Sequence, residues 1–343
     1  MSSLLWRVTV GVLLALVLAV AAVYFYLDHW ARQSLGIEEN TAFQVRSGEG
    51  FSTLLRRVGA AENPDLRRAF RSATQWKLYI RLERTGRNIQ AGEYELLPGD
   101  SPESVLDRLV TGEVVRYEVP LLEGWTLQQV LEALRNSPKL EHSPRLDHRG
   151  YLAEKYSNRG LSAEGMFFPD TYHYVQGTLD EEILDRAHQE LQRILAQEWA
   201  ARDSGLPYQS PYEALILASI IEKETGIAQD RPRIARVFIN RLQRNMRLQT
   251  DPTVIYGAGE AFDGNLTRLH LKQVTPYNTY VHRGLPPTPI AMAGRAAIHA
   301  ALHPAQGDYL YFVARGDGSS EFSNTLEQHR AAVRQYQLGG RGK

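Results

Sequence analysis

The alternation of apolar and polar positions divides the chain into segments of different kinds. From Val8 to Leu27 the sequence VTVGVLLALVLAVAAVYFYL carries no charge. At about 1.5 Å per residue such a helix is long enough to cross a hydrocarbon layer of roughly 30 Å. From Phe43 a second pattern appears three times: FQVRSGEGFSTLLRRV at Phe43, YELLPGDSPESVLDRLV at Tyr94 and YEVPLLEGWTLQQVLEAL at Tyr117. Each reads as a short strand, a glycine turn, a Ser/Thr cap and an amphipathic helix. In the third, Thr126 and Gln129 stand at capping-box spacing, and Leu127, Val130, Leu131 and Leu134 share a face. Further on, Glu181 to Arg202, Pro211 to Thr225 and Asp230 to Arg244 have helical periodicity, Tyr309 to Ala314 reads as a strand, and Thr325 to Leu338 as a terminal helix with a Thr-x-x-Gln start.

These elements predict an α+β protein: residues 1–7 before a transmembrane helix over 8–27, a juxtamembrane linker over 28–42, a small α+β module or two over 43–135, a linker or surface loop over 136–160, where composition turns polar around Pro138 and Pro144, and a larger mixed α+β domain over 161–340. Trp6, Tyr24, Tyr26 and Trp30 lie near the ends of the apolar segment, where amphipathic rings favour the membrane interface. With Arg7 before the segment and Asp28 after it, the bulk of the chain is expected outside the cytoplasm. A cleaved signal peptide is the rival reading, because Ala19-Val20-Ala21 has a small-x-small form, but the apolar stretch exceeds a usual signal core.

Length and composition add limits. A chain of 343 residues exceeds one ordinary core, so more than one domain is expected. Lys plus Arg and Asp plus Glu are equal at 39 each, and nothing in that balance calls for a nucleic-acid partner. The absence of cysteine removes disulfides, thiolate metal sites and cysteine nucleophiles.

The chemically suggestive stretch begins at Ser210, Pro211 and Glu213, which read as an N-cap, a first-turn proline and a capping acid. Ala214 to Ile221 is uncharged and apolar all round except for Ser219, so this helix should be buried on every side, with Gly226 well placed as its stop. Glu222 and Glu224 occupy its last turn. Glu222 stacks over Leu215, Ala218 and Ser219, and both burial and the negative end of the helix dipole would raise its pKa, as a general acid near neutral pH requires. The plainer alternative is a helix-end Glu that pairs with Lys223 or with an arginine of the next helix. That helix carries Arg231, Arg233, Arg236, Arg241 and Arg244, with Arg247 beyond it. They would form either a basic face for an anionic polymer or a solvated surface. Gln249, Thr250 and Asp251 gather amide, hydroxyl and carboxyl groups, and Tyr277, Asn278, Thr279 and Tyr280 add aromatic rings beside an amide. Such groups bind sugars, or equally form a satisfied loop network. His299 and His303 stand four apart, yet no Glu accompanies them and Pro304 ends the turn, so no metal and no cofactor are expected. No P-loop or nucleophile-elbow motif is present, and Gly257-x-Gly259 lacks a third glycine.

At LASIIEKET (Leu217 to Thr225), VFINRL (Val237 to Leu242) and MRLQTDPTVIYG (Met246 to Gly257) the chain resembles the endolytic murein transglycosylases of the YceG-like family. EGWT at Glu123, EGMFFPDTY at Glu164, YNTY at Tyr277, GLPP at Gly284 and YLYFVA at Tyr309 extend that resemblance in order. Thr288 and Glu321 depart from it where the family usually has Gly and His. The resemblance implies a single-pass inner-membrane protein with a periplasmic LysM-like module over 43–135 and a transglycosylase domain after it. It further implies that Glu222, opening the Glu-Lys-Glu-Thr motif, is the acid/base, and that the chain cleaves nascent peptidoglycan strands beside penicillin-binding proteins. Two competitors stay open: a muramidase using a second carboxylate, Asp251 or Glu224, and a non-catalytic glycan-binding scaffold.

Overall fold

A computed structural model describes residues 2–83, 89–148, 150–157 and 160–338, with side chains from Leu5 onward and that of Glu260 excepted. Parts of the expected segments therefore lie outside the described residues: Met1, 84–88 of the small module, 149, 158 and 159 of the polar stretch, and the last two positions of 161–340. The chain is mixed α+β and divides into two compact units, Met1–Tyr117 with Val175–Gly177, and Glu118–Tyr174 with Thr178–Lys343.

The first unit runs α1 (Ser2–Ala31), β1 (Thr41–Val45), α2 (Phe51–Gly59), α3 (Pro64–Phe70), α4 (Ala73–Glu83), β2 (Gly92–Leu96) and α5 (Pro102–Thr111). β1 and β2 pair antiparallel, Thr41 opposite Leu96 and Val45 opposite Gly92. Alternate residues of β1 point inward, and their faces close on a core that includes Phe43, Leu54, Phe70, Trp76 and Tyr94. The segment Leu5–Ala31 of α1 has a mean hydropathy of 2.7 and is long and apolar enough to cross a membrane. Its large apolar side chains from Leu5 to Phe25 stand exposed, whereas Leu27 and Ala31 in its last turn are buried. Trp30 meets Trp76 edge-on at 5.6 Å. Residues 28–42 therefore make no free linker: α1 continues to Ala31, Ile37 and Thr41 are buried, and the Leu35 amide donates to the Asp100 carbonyl at 2.7 Å. Of the repeated starts, α5 has the expected capping box, with Ser101. α2 is preceded by Gly50 with no side-chain cap.

The second unit opens with most of β3 (Tyr117–Pro120), followed by α6 (Leu127–Arg135), α7 (Tyr151–Tyr156), β4 (Thr171–Tyr174), α8 (Asp180–Ala201), α9 (Pro211–Glu224), α10 (Arg231–Gln243), α11 (Asp251–Ala258), α12 (Arg268–Lys272), α13 (Arg295–Leu302), β5 (Tyr311–Ala314), β6 (Ser320–Ser323) and α14 (Leu326–Val333), which continues as a π turn to Leu338. β3 pairs with β4 and β5 with β6, each as a two-stranded sheet. The Thr126–Gln129 box caps α6 and the Thr325–Gln328 box caps α14.

The division between units falls after Tyr117, so the third repeated pattern belongs with the larger unit. The described residues of the polar stretch 136–160 pack into that unit. Its Ser143 amide donates to Asp180 at 2.8 Å, its Tyr156 hydroxyl to Asp185 at 2.8 Å and Lys155 to Glu181 at 2.7 Å. Its polar composition completes an ion network on α8, where Asp180 and Glu181 are buried, and buried carboxylates demand such partners.

α9 packs against α8, α10, α11 and α13, which explains why Ala214 to Ile221 is apolar on every face. All of these residues are buried. Its one polar member, Ser219, is satisfied: its hydroxyl donates to the Ile216 carbonyl at 2.7 Å and accepts from the Ile290 amide at 3.0 Å. The ends differ from expectation. Ser210 makes no side-chain cap, because Glu213 reaches back instead to the Gln209 amide at 2.8 Å. Termination uses no left-handed glycine: Thr225 turns extended after Glu224.

Gly165 has φ +73°, and a Cβ there would lie 2.3 Å from Cβ of Pro289. Gly165→Ala combines an unfavourable dihedral with a backbone-level clash and should destabilise the protein by about 3 kcal/mol. A lowered urea midpoint measures this, and an unchanged midpoint would contradict the packing described.

Candidate functional site

α9 ends at the edge of the core, and its two carboxyl groups leave in different directions, because residues two apart on a helix are roughly 200° apart around its axis. Glu222 Oε2 accepts the Gly294 amide at 2.9 Å, and its Oε1 lies 3.5 Å from Arg231 of α10 with 6% of the side chain exposed. This is the pairing with an arginine of the next helix that the sequence left open. Burial raises the Glu222 pKa, the Gly294 amide opposes the rise, and Glu123 adds to it.

Glu224 faces the opposite way, into a cleft of about 450 Å³ whose walls include Arg241, Gln249, Asp251, Tyr280 and Tyr311. Glu222 does not line that cleft. The Glu224 carboxyl accepts a short hydrogen bond from the Thr250 hydroxyl. Burial pushes its pKa up to about 7, the Thr250 bond opposes this, the Asp251 charge reinforces it, and the Arg241 guanidinium lowers it somewhat. A carboxyl that is half protonated near neutrality beside an open polar cleft can both give and take a proton.

The rest of the site is built by one loop pinned onto another. The Gln249 amide donates to the Thr279 carbonyl at 3.2 Å, the Thr250 amide to the Thr279 hydroxyl at 3.1 Å, and the hydroxyls of Thr253 and Thr279 meet at 2.8 Å. Gln249 is thereby held at φ 51°, a conformation that costs a non-glycine residue on the order of 1 kcal/mol and that places its side chain at the cleft. Asn278 is 1% exposed. Its side-chain amide donates to the Gln273 carbonyl at 2.7 Å and to the carbonyls of His270 and Leu271, so it holds the loop and has no reach into the cleft. Tyr280 donates its hydroxyl to Asp251 at 2.6 Å. Tyr277 turns away, its ring 4.7 Å from that of Tyr256 and its hydroxyl 2.9 Å from Thr288.

Of the residues singled out in the sequence, Glu224, Gln249, Asp251 and Tyr280 thus converge on one cleft, Thr250, Asn278 and Thr279 support it, and Glu222 and Tyr277 lie outside its lining. Sequence reasoning did not single out Arg241 individually. It is buried rather than part of a surface stripe, and donates to the carbonyls of Leu310 at 2.7 Å and Leu248 at 2.6 Å. Arg231 pairs with Glu222 and Arg236 donates to the Ala305 carbonyl, so the arginines of α10 form no continuous basic face. Glu164, which opens the EGMFFPDTY motif, was not singled out as a site residue. Burial raises its pKa to about 7, and it accepts from the Leu127 amide at 2.9 Å and the Tyr256 hydroxyl at 3.1 Å. Its placement before a positive-φ glycine in EGMFFPD was the available signal.

A helical unit that carries a half-buried carboxyl of raised pKa on the wall of a polar cleft has the equipment of an acid/base site. The chain belongs to the YceG-like family, whose model matches residues 43–335. It is 33% identical over 264 residues to the endolytic murein transglycosylase of Bacillus subtilis, covering 72% of this chain and 73% of that one. To the endolytic murein transglycosylase of Streptococcus pneumoniae it is 28% identical over 299 residues, and there the chain spans 51% of the relative's length. Among solved structures, a yceG-like protein from Listeria monocytogenes matches with a TM-score of 0.53 and 30% identity over 86% of this chain and 99% of that one.

Glu164 and Glu224 both have folded-state pKa values above the ordinary value of 4.5. Below that value both states are protonated. As pH rises from about 4.5 to about 7 the unfolded chain ionises first, so folding stability falls across this window. Glu224→Gln and Glu164→Gln should each flatten that fall, read from denaturant midpoints at several pH values. Thr250→Val, which removes the bond favouring the ionised form, should move the Glu224 titration further upward, read by NMR or difference infrared spectroscopy.

Proposed function

We propose that this protein is a membrane-anchored lytic transglycosylase that cleaves the bond between N-acetylmuramic acid and N-acetylglucosamine within peptidoglycan strands. The observation that carries this reading is the half-buried carboxyl of Glu224 on the wall of a polar cleft, its pKa pushed up to about 7 by burial. The names of the Bacillus and Streptococcus relatives supply the substrate and reaction class. The sequence pointed to Glu222 for the acid/base role. We assign it to Glu224, because Glu224 lies on the wall of the cleft and Glu222 does not, although burial raises the pKa of both.

In this mechanism protonated Glu224 donates to the glycosidic oxygen as the bond from that oxygen to the muramyl anomeric carbon breaks. The resulting carboxylate then takes the proton from the muramyl 6-hydroxyl as that oxygen attacks the same carbon. A 1,6-anhydro end forms, no water is consumed, and Glu224 returns to its starting state. One positioned acid/base group supplies about 10² to 10⁴ in rate. Gln249, Asp251 and the Tyr280 ring offer hydrogen bonds and a stacking face for the sugar. Thr250, Asn278 and Thr279 hold those groups in place. Asp251 in the same cleft favours a second reading, a muramidase in which it activates water, since a hydrolase needs a second carboxylate.

The uncovered apolar length of α1 supports a membrane anchor, with the two units on the periplasmic side of the inner membrane. The antiparallel pair β1 and β2, with α2, α3 and α4 between them, supports a LysM-like module that holds glycan, with one helix more than two strands and two helices would need. Cleavage within strands still being made would end their growth, and penicillin-binding proteins of the synthesis complex are the fitting partners. No cofactor is used by this mechanism.

Glu224→Gln should lower strand cleavage by about 10² to 10⁴, while Glu222→Gln keeps most activity. The assay is mass spectrometry of isolated glycan strands digested in water labelled with oxygen-18. Anhydro ends without isotope support the transglycosylase, and labelled reducing ends would replace it by the muramidase. Undiminished cleavage by Glu224→Gln would remove that residue from the role.

A further inference from the structure

Outside the lining of the cleft, folding brings together three side chains of ligand type, Glu198 from α8, His299 from α13 and His303 just after it. Glu198 of α8 places Oε2 2.8 Å from Nδ1 of His299 and 3.7 Å from Nε2 of His303, and the three ligand atoms lie within 4.8 Å of one another. A zinc ion with bonds of 2.0 to 2.2 Å in tetrahedral geometry holds its ligand atoms roughly 3.3 Å apart. The present spacing brackets that value, so small side-chain rotations would seat an ion.

The surroundings also have the form of a metal site. Nδ1 of His303 lies 3.2 Å from Oδ1 of Asp203, so one ring nitrogen faces Glu198 while the other is oriented by an outer carboxylate, the usual arrangement for a metal-bound imidazole. Arg295 approaches Glu198 at its other oxygen, Oε1, at 3.6 Å, leaving Oε2 for the ion. The His299 side chain is 57% exposed, which provides an entry path and room for water as a fourth ligand. Two imidazoles and one carboxylate select a transition metal rather than calcium or magnesium. The spacing of His299 and His303 was visible in the sequence, but the carboxylate is about a hundred positions away.

We propose that Glu198, His299 and His303 bind a divalent transition-metal ion, zinc by donor chemistry, as a structural clamp between α8 and the C-terminal end of α13. The clamp is independent of the Glu224 chemistry, and its test needs no activity measurement. Tag-free full-length protein in detergent, stripped with a chelator, is equilibrated with zinc chloride. Bound metal is counted by inductively coupled plasma mass spectrometry, and thermal unfolding is followed with and without zinc. Wild type should hold about one zinc per chain and unfold at a higher temperature with it. His299→Asn, at an exposed position that does not endanger folding, should bind at least about tenfold more weakly and lose the thermal shift, and Glu198→Gln should do the same. Cobalt(II) should give the visible absorption of a four-coordinate ion in wild type and not in His299→Asn. The proposal is overturned if wild type takes up no zinc at micromolar concentration, or if both variants keep the stoichiometry, affinity and shift of wild type, because the ion would then be held elsewhere or adventitiously.

Discussion

The burial of α9 on every side is the constraint from which the site follows. A helix enclosed by α8, α10, α11 and α13 has no freedom to rotate or slide, because each apolar side chain occupies a space shaped for it and interiors are packed to crystal-like density. Its last turn therefore delivers two carboxyl groups in fixed directions. Glu224 gains an elevated pKa because the same enclosure that fixes it also withdraws it from water. Positioning and acidity are consequences of one packing arrangement, which is why the cleft needs little besides the Thr250 hydroxyl and a loop to carry it.

That loop shows how a polar cleft can be rigid. Thr279 presents its carbonyl and its hydroxyl to successive backbone amides of Gln249 and Thr250, while Asn278 spends its side-chain amide on neighbouring carbonyls. The side chains at the rim, Gln249, Asp251 and Tyr280, keep capacity to spare. The division between buried polar groups that support and rim groups that offer contact is a matter of hydrogen-bond satisfaction, and composition does not display it.

Much of the architecture was legible in the chain. The apolar run in α9 is written in Ala214 to Ile221, and the caps of α6 and α14 in Thr126 with Gln129 and Thr325 with Gln328. Family motifs marked both the helix end and the loops around the cleft. What pattern could not decide was which of Glu222 and Glu224 meets the cleft. Both sit at the end of a helix apolar on all faces, so periodicity carries no information about its rotation, and α10 and α11 determine it. Stacking over Leu215 and Ala218 marked Glu222 as withdrawn from water, and its side chain is 6% exposed beside Arg231. The stretch 136–160 misled for a related reason. Its Ser, Lys and Tyr groups resemble a solvated linker until Asp180 and Glu181 are brought beside them, and long-range partners leave no trace in local composition.

The last turn of α1 belongs to the core of the first unit, with Leu27 and Ala31 buried and Trp30 set against Trp76. This makes the junction a weld rather than a swivel. In a bilayer, the height and inclination of the first unit would be fixed by the helix that enters it, so a thicker or thinner hydrocarbon layer, which changes helix tilt, would tip that unit as a lever tips its load.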